Sequence, residues 1–326
     1  MRGSLDDEAD TLVAVLGWLA DAAESLAWCA EVEASEPPDP AELEAFYAHM
    51  ADEDDPEYEE VWASPTMDAL MAQAVIELRQ AAPEVAGAIL PLVGDPDPRV
   101  RAAAMRAAAE WSRSAPETRA EVAAAIAERL AVATGRDERA CVVLGLGQAG
   151  GDVSSSLSDP DEAVRACAAL FVQTPRATGV LIDALARPDQ VDAWFADKPA
   201  FFGMHVRFTL LAEVIRRGVT IEELLPAAVA LITASRGGLT ADNEWGPILQ
   251  VAFPDAEFRP GVRPPLPDSL TAAQRAVLEA LAANESLWDP RDGNAGLARM
   301  KVGVPDDRDA LLECPDGFRR PTASIG

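Results

Sequence analysis

Residues 95–111 read DPDPRVRAAAMRAAAEW, and this stretch decides the fold. Its first four residues place aspartate and proline where a turn leads into a helix, because Asp caps free backbone N–H groups and Pro fits the first helical turn. Apolar side chains then recur every three or four residues, which is the helical period. The pattern predicts a helix whose inner stripe is Val100, Ala104, Ala107 and Trp111.

A second copy of this phrase begins at Asp159, where residues 159–170 read DPDEAVRACAAL. The pattern indicates a weaker copy at Asp137, because Val142 follows it at the five-residue spacing of the two strong copies. Another Val-Arg pair opens a helical pattern at Val206 without the aspartate turn. Repetition of this kind predicts stacked helical hairpins, since one hairpin alone hides only part of its apolar surface.

The two strong phrases resemble HEAT repeats, including the short HEAT-like repeats named after phycobilisome lyases. The resemblance rests on an aspartate turn, a Val-Arg pair that opens the second helix and an alanine at a packing position. These residues are Asp95, Val100, Arg101 and Ala104, then Asp159, Val164, Arg165 and Ala168. The resemblance implies an all-α fold, namely an irregular α-solenoid of antiparallel HEAT-like helical hairpins. It also implies that the arginines bond carbonyls or a neighbouring aspartate along the stack.

Composition divides the chain into three parts. Residues 1–64 are predicted to form an acidic N-terminal helical extension, and residues 65–257 the HEAT-like solenoid. Residues 258–326 follow as a proline-rich linker with a C-terminal helical cap. Within the solenoid, the periodicity predicts a helical pair over 67–81 and 83–93, the second of which begins at Pro83.

The charge of the chain is strongly and unevenly negative. Net charge is −28, and the first 78 residues hold 21 acidic residues against one basic residue. This sign repels nucleic-acid phosphate and anionic lipid, so it favours a basic protein or peptide as partner. Neither a basic, apolar signal nor an uncharged apolar run of about 18 residues is evident, so we expect a cytoplasmic protein. Abundant Ala, Arg, Asp, Pro and Gly with two lysines indicate a GC-rich bacterial genome.

Neither the cysteines nor the acidic residues are spaced as metal ligands usually are. Cys29, Cys141, Cys167 and Cys314 form no CxxC pair, and the two histidines are far apart. Cys141 and Cys167 lie in apolar helical patterns and are predicted to be buried, reduced thiols. The acidic run 52–55 lacks the spacing and glycine of a calcium loop, so a solvated loop is favoured. We expect no metal and no cofactor.

Residues 145–150 read GLGQAG, a literal GxGxxG, and residues 141–144 before them have the composition of a strand. A dinucleotide fold needs this motif between a strand and a helix, inside repeated βαβ units. The residues after Gly150 read GDVSSS, which is typical of a loop, and no other parallel strands are evident. We therefore interpret these glycines as the C-cap of a helix.

The leading functional hypothesis is a non-enzymatic scaffold. It would bind a basic protein or peptide through the concave face of the solenoid and the acidic N-terminal surface. The predicted binding residues fall into three sets. Three lie on the helix 98–112 outside its inner stripe and are expected to be free for contacts. One is the arginine of the later Val-Arg pair, and the others form a polar helix start. Together they are Arg106, Glu110, Arg113, Arg207, Asp242, Asn243 and Trp245.

Two other classes of function stay open at this stage. One is an enzyme of specialised bacterial metabolism, with a pocket in the solenoid cleft and with His205 and carboxylates as acid–base groups. The competing interpretation of His205 is a partly buried core histidine, since it lies between Met204 and Val206 in an apolar helical pattern. The other class is an immunity or inhibitor protein directed against a basic nuclease. A deep enclosed pocket would favour the enzyme, and an open groove the scaffold.

Overall fold

The structure is a computed structural model. It describes residues 2–28, 37–51, 60, 62–236, 240–259 and 262–313. Across these residues every regular element is helical, and one isolated bridge joins Arg259 to Val262. The prediction of an all-α fold is therefore confirmed, whereas the solenoid arrangement stays a prediction. The acidic run 52–55 lies outside the described residues.

The chain forms two compact units, Met1–Asp152 and Val153–Gly326. The division predicted from composition, with boundaries near 64 and 257, stays a prediction. The helices of the first unit are α1 (Arg2–Trp28), α2 (Pro40–Met50), α3 (Pro65–Ile89), α4 (Pro98–Ser114), α5 (Arg119–Leu130) and α6 (Arg136–Gln148). Helix α4 is central, because it packs against α1, α3, α5 and α6. Its predicted inner stripe is buried from Val100 to Trp111.

Helix α3 replaces the helical pair predicted over 67–81 and 83–93. The helix runs through Pro83 without a break and ends at Ile89, where a 3-10 turn over Leu90–Gly94 follows. Proline removes one backbone hydrogen bond, but Pro83 is exposed, and Ala82 and Ala86 on the neighbouring face of the helix are buried. The predicted break was wrong because packing of the apolar face outweighs the single lost bond.

The described residues of the second unit form nine α-helices. They are α7 (Glu162–Ala169), α8 (Pro175–Leu185), α9 (Pro188–Asp192), α10 (Val206–Arg216), α11 (Ile221–Ala234), α12 (Gly246–Ala252), α13 (Ala272–Ala283), α14 (Gly293–Lys301) and α15 (Arg308–Leu312). Helix α11 packs against α8, α9, α12 and α13, and its Leu224, Leu231 and Ile232 are fully buried. A π-helical turn, Ala241–Trp245, directly precedes α12.

The two strong phrases have the same capping geometry. The side chain of Asp95 accepts the N–H of Asp97 at 2.8 Å, and the side chain of Asp159 accepts the N–H of Asp161 at 2.8 Å. Asp97 and Asp161 are then the N-caps of α4 and α7, where each side chain accepts the N–H two residues further on. The predicted role of aspartate as a helix cap is confirmed in both copies.

The arginine of each phrase folds back onto its own turn. Nη1 of Arg101 donates to the carbonyl of Asp95 at 2.8 Å, and Nη1 of Arg165 donates to the carbonyl of Asp159 at 2.7 Å. Arg101 also pairs with Glu138 on α6 at 2.8 Å. Each phrase is therefore a closed turn that begins a helix, and in the first unit its arginine also ties two helices together.

The weaker copy at Asp137 was assigned in the wrong register. Asp137 lies inside the first turn of α6, whose N-cap is Gly135, so it does not cap the helix as Asp97 does. The arginine that folds back onto the preceding turn is Arg139, whose Nη1 donates to the carbonyl of Thr134. The five-residue spacing to Val142 is therefore a coincidence of sequence.

The GxGxxG run forms a helix C-cap, as predicted. It begins inside α6, and residues 141–144 before it are helical. The N–H of Gly150 donates to the carbonyl of Gly147 at 3.0 Å, and the N–H of Gly151 donates to the carbonyl of Leu146 at 2.8 Å. These two bonds form a Schellman motif, which requires positive φ at Gly150, where φ is 81°.

Cys141 and Cys167 are buried, as predicted. Burial raises the pKa of the Cys141 thiol to about 12, and the charges of Asp137 and Glu138 act in the same direction. Cys29 and Cys314 lie outside the described residues.

Candidate functional site

Three charged side chains, of which Arg207 and Glu244 are buried and Asp192 is partly exposed, converge in the second unit. Asp192 ends α9, Arg207 lies in the first turn of α10, and Glu244 lies in the π-helical turn. Nη1 of Arg207 donates to Oδ2 of Asp192 at 2.8 Å, and Nε of Arg207 lies 2.9 Å from Oε1 of Glu244. The hydroxyl of Ser235 donates to Oε2 of Glu244 at 2.5 Å. The side chains form one connected network, which we call the Asp192–Glu244 network.

Glu244 is the unusual member of this network because its side chain is 0% exposed. Burial raises the pKa of Glu244, while the Ser235 hydroxyl and the positive charge of Arg207 act in the opposite direction. Oε1 of Glu244 and Nε of Arg207 make no hydrogen bond despite their short separation, so charge rather than a directed bond holds them. Buried groups with shifted pKa values concentrate at functional sites.

The π-helical turn directs Glu244 inward. The N–H of Gly246 donates to the carbonyl of Ala241, five residues back, which is the π-helical spacing. A side chain at residue 246 is excluded, because a Cβ there would lie 2.2 Å from that carbonyl oxygen. The wider turn buries both Glu244 and Trp245. Turns of this type are frequent at functional sites.

A cleft of about 390 Å³ opens beside Asp192. Two phenylalanines and a methionine supply its apolar surface, and an aspartate, a lysine and a histidine supply its polar groups. The lining residues are Asp192, Phe195, Lys198, Met204, His205, Val206 and Phe208. We call this the Asp192 cleft.

The interpretation of His205 as a partly buried core histidine was wrong. His205 is the N-cap of α10, so it lies in the turn before the helix, and its side chain is 62% exposed. Its Nδ1 lies 4.0 Å from Oδ1 of Asp192, and its ring meets Phe208 edge-on with 5.0 Å between ring centroids. The apolar neighbours of His205 misled the sequence interpretation, because the helical pattern begins one residue later.

Arg106 was expected to be free for contacts, and this was wrong. Its guanidinium pairs with Asp21 at 2.7 Å and with Glu24 at 3.2 Å, both on α1, and its side chain is 14% exposed. Arg99 on the same helix pairs with Asp10 of α1 at 2.7 Å. Helix α1 packs over α4, and its acids therefore occupy the arginines that the sequence offered to a partner.

Glu110 was also expected to be free, but it is buried. Its carboxylate accepts from the side-chain amide of Gln148 and from Nη1 of Arg113, the latter at 3.1 Å. Arg113 remains partly exposed at 44%. The helical wheel placed Glu110 off the inner stripe, but α4 packs against neighbours on several sides, so a second face is buried.

The predicted polar helix start is divided by the π-helical turn. Asp242 is exposed and Asn243 partly buried, whereas Trp245 is buried in the core and offers no surface to a partner. The sequence interpretation chose Asp242, Asn243 and Trp245 from this segment and left out Glu244, which lies between them. It also missed Asp192, for which tertiary contact with Arg207 is the only evidence.

A second candidate site lies in the first unit, where exposed apolar side chains coincide with the acidic segment. Trp18 on α1 is 74% exposed, and Tyr47 on α2, Met71 on α3 and Trp62, in the turn before α3, are also mostly exposed. Exposed acids lie on the same helices. They are Glu8, Glu42, Glu44, Asp68, Glu77 and Glu84. We call these ten residues the acidic–aromatic surface.

An apolar groove of about 350 Å³ separates α1 from α3. Leu12, Val15, Leu16 and Leu19 line it from α1 at helical spacing, and Val85, Ala88, Ile89 and Leu92 line it opposite. Glu84 also lines the groove, and Glu8 lies one helical turn before Leu12. The groove is therefore apolar at its base and acidic at its edges.

Within the described ranges, no group of three or more His, Cys, Asp or Glu side chains is arranged to hold a metal ion. None of the helices in that part of the chain has the length and apolar character needed to cross a membrane. Comparison with family models, with curated proteins and with solved structures gives no match for this chain. The HEAT-like resemblance therefore stays a prediction.

Proposed function

We propose that this protein is a non-enzymatic binding module for a basic protein or peptide, and that the partner docks on the acidic–aromatic surface. The observation that carries the proposal is the coincidence of two independent features. The first 78 residues hold 21 acids and one base, and the same segment exposes Trp18, Tyr47, Trp62 and Met71. Exposed aromatic and Met side chains are enriched at protein interfaces.

Charge and aromatic rings act together on such a partner. Lys and Arg side chains pair with carboxylates and also lie over the faces of Trp and Tyr rings, each contact contributing about 0.5–1 kcal/mol at an exposed site. A field of one sign also accelerates the encounter with an oppositely charged partner. Among the described side chains of α1, α2 and α3, the acids that remain for this purpose are those of the acidic–aromatic surface, since Asp10, Asp21 and Glu24 already pair with arginines of α4.

The groove between α1 and α3 supports an amphipathic segment as the bound element. An amphipathic helix lays apolar side chains at positions i, i+3, i+4 and i+7 into such a groove. Leu12, Val15 and Leu19 offer the matching apolar wall, and Glu8 and Glu84 lie where basic side chains would flank it. A basic nuclease inhibited by this protein is one partner with this chemistry.

We further propose that the helices stack as an irregular HEAT-like solenoid in the cytoplasm of a bacterium. The support is the shared turn of the two strong phrases, in which Asp95 and Asp159 make the same bonds and Arg101 and Arg165 fold back in the same way. A repeated closed turn that begins a helix is what a helical repeat requires.

The enzyme hypothesis has less support from the geometry. The Asp192 cleft is open, since Met204 and His205 in its lining are exposed. An active site gains from excluding water, and His205 does not reach hydrogen-bond distance of Asp192. An open cleft is more typical of a binding surface.

The proposal is tested with a fluorescently labelled helical peptide of leucine and lysine, and with a leucine–glutamate peptide of the same pattern. Fluorescence anisotropy should show binding of the lysine peptide only. The variants Trp18→Ala and Tyr47→Ala should each weaken it about tenfold, as loss of an interface aromatic does, whereas the control Phe258→Ala should not. Equal affinity for both peptides, or no effect of either variant, would overturn the proposal.

A further inference from the structure

The two carboxylate oxygens of Asp192 differ in their contacts. Its Oδ2 accepts from Arg207 at 2.8 Å, whereas Nδ1 of His205 lies 4.0 Å from Oδ1, beyond hydrogen-bond distance. Asp192 also lines the cleft. The carboxylate therefore presents an unused hydrogen-bond acceptor to any molecule that enters.

The Asp192–Glu244 network fixes this acceptor from behind. Arg207 is buried and is held between Asp192 and Glu244, and Glu244 is held in turn by Ser235. Three polar groups thus support the position of Asp192: Arg207 of α10, Glu244 of the π-helical turn, and Ser235, the C-cap of α11. Binding sites depend on such support for the group that contacts the ligand.

The walls of the cleft suit a flat apolar ring. Phe195 and Phe208 are aromatic, His205 lies edge-on to Phe208, and Met204 contributes a polarizable thioether. Aromatic pairs are favourable in stacked or edge-on geometry, and sulfur contacts ring edges favourably. The volume of about 390 Å³ lies within the usual range of small-molecule sites.

The charge of the cleft favours a neutral ligand. Asp192 and Lys198 are its acidic and basic lining residues, and their charges are of opposite sign. The ammonium of Lys198 already donates to the carbonyl of Met204 at 2.7 Å. A ligand that carries a net charge would be attracted by one group and repelled by the other.

We propose that the Asp192 cleft binds a neutral planar aromatic group with one N–H or O–H donor, such as a phenol or an indole. The ring lies against Phe195, Phe208 and Met204, and the donor bonds Oδ1 of Asp192. The same chemistry is present in a free aromatic compound and in the tyrosine or tryptophan side chain of a peptide. This site is separate from the acidic–aromatic surface and does not depend on the proposed function.

The test is a calorimetric titration of the full chain with two matched pairs of probes. The phenol p-cresol should bind about tenfold more tightly than toluene, and indole about tenfold more tightly than N-methylindole, because the second member of each pair lacks the donor. Titration with N-acetyl-tyrosinamide separates the sources. Binding at least as tight as that of p-cresol assigns the site to a peptide side chain, and exclusion of the amide assigns it to a free compound.

Variants place the binding in the cleft. Met204→Glu adds a charge to an exposed position of the lining and should abolish binding of p-cresol, whereas Leu297→Glu, an equivalent change outside the lining, should leave it intact. Phe195→Ala should weaken binding, with thermal unfolding measured in parallel to show that the variant is folded. Equal affinity for p-cresol and toluene, or unchanged binding in Met204→Glu, would overturn the proposal.

Discussion

The guanidinium of Arg106 on α4 donates to the carboxylate of Asp21 on α1 at 2.7 Å, with Glu24 3.2 Å from the same nitrogen. The most basic helix of the first unit is thereby paired with the acidic N-terminal helix of the same chain. Part of the negative charge seen in the sequence is therefore used inside the protein. What remains for a partner lies on α2, α3 and the first turns of α1.

Reversing the charge of Arg106 should destabilise the protein. In Arg106→Glu, the new carboxylate lies against Asp21 and Glu24, so a favourable contact becomes repulsive, and we expect a loss of about 1–2 kcal/mol in the free energy of unfolding. Urea unfolding monitored by circular dichroism measures it. The control Arg275→Glu changes an exposed arginine without a salt bridge in the described chain. A loss as small as that of the control would show that the Arg106 contacts do not stabilise the fold.

Glu244 should be intolerant of truncation. In Glu244→Ala the buried Arg207 loses one of its two carboxylate partners, and breaking a buried pair typically costs about 3–5 kcal/mol. Glu244→Gln preserves shape and should cost less. The two variants are compared by urea unfolding at pH 7. Equal and small losses in both would mean that the Asp192–Glu244 network contributes little to stability.

The same residue predicts a pH dependence. Burial raises the pKa of Glu244 above its ordinary value of 4.5, so between that value and the raised one the folded state binds more protons than the unfolded state. The contribution of Glu244 to stability should therefore be greatest below pH 4.5 and should fall as pH rises. The free energy of unfolding of the wild type and of Glu244→Gln is measured from pH 4.5 to 8. As pH rises, the wild type should lose stability relative to Glu244→Gln. A difference independent of pH would contradict the assignment.

Replacement of the C-cap glycine of α6 by alanine should destabilise the protein, whereas the same change at a glycine inside a helix should not. Gly150 has φ of 81°, so Gly150→Ala should cost about 1–2 kcal/mol. Gly179 lies inside α8 with nothing within 4 Å of an added Cβ, so Gly179→Ala should instead stabilise by about 0.5–1 kcal/mol. Thermal unfolding of the two variants checks the opposite signs. A stabilising Gly150→Ala would show that the C-cap is not formed.

The buried thiols should be unreactive in the folded protein. In a Cys29→Ser, Cys314→Ser background only Cys141 and Cys167 remain. Because both are buried, and because burial raises the pKa of Cys141 to about 12, an aromatic disulfide reagent at pH 8 should label neither until urea is added. Stoichiometric labelling before unfolding would contradict the burial of Cys141 in α6 and of Cys167 in α7.

Hydrogen bonds between residues close in sequence were predictable from the sequence, whereas the packing of one helix against another was not. The caps at Asp97 and Asp161, the inner stripe of α4 and the glycine C-cap follow from bonds between residues close in sequence. The continuation of α3 through Pro83 depends on packing of its apolar face, which includes Ala82 and Ala86. The burial of Glu110 likewise depends on neighbouring helices, which periodicity along one helix does not reveal. The exposure of His205 follows from the exact start of α10 at Val206, which the apolar pattern did not fix.

The candidate sites divide along the same line. The acidic half of the acidic–aromatic surface was evident as a count of charges, but the exposure of Trp18 was not, because an apolar residue in a helical pattern is ordinarily assigned to the core. The Asp192–Glu244 network joins residues 192, 207, 235 and 244, which no spacing connects. Only the fold brings them together.

The central claim is that the acidic–aromatic surface binds a basic partner. Its most direct test is the dissociation constant of the leucine–lysine peptide for wild type and for the triple variant Glu42→Lys, Glu77→Lys, Glu84→Lys, at 50 and 300 mM salt. We predict that wild-type affinity falls about tenfold with added salt, and that the variant binds weakly at both concentrations. Affinity that is indifferent both to salt and to the three reversals would contradict the claim.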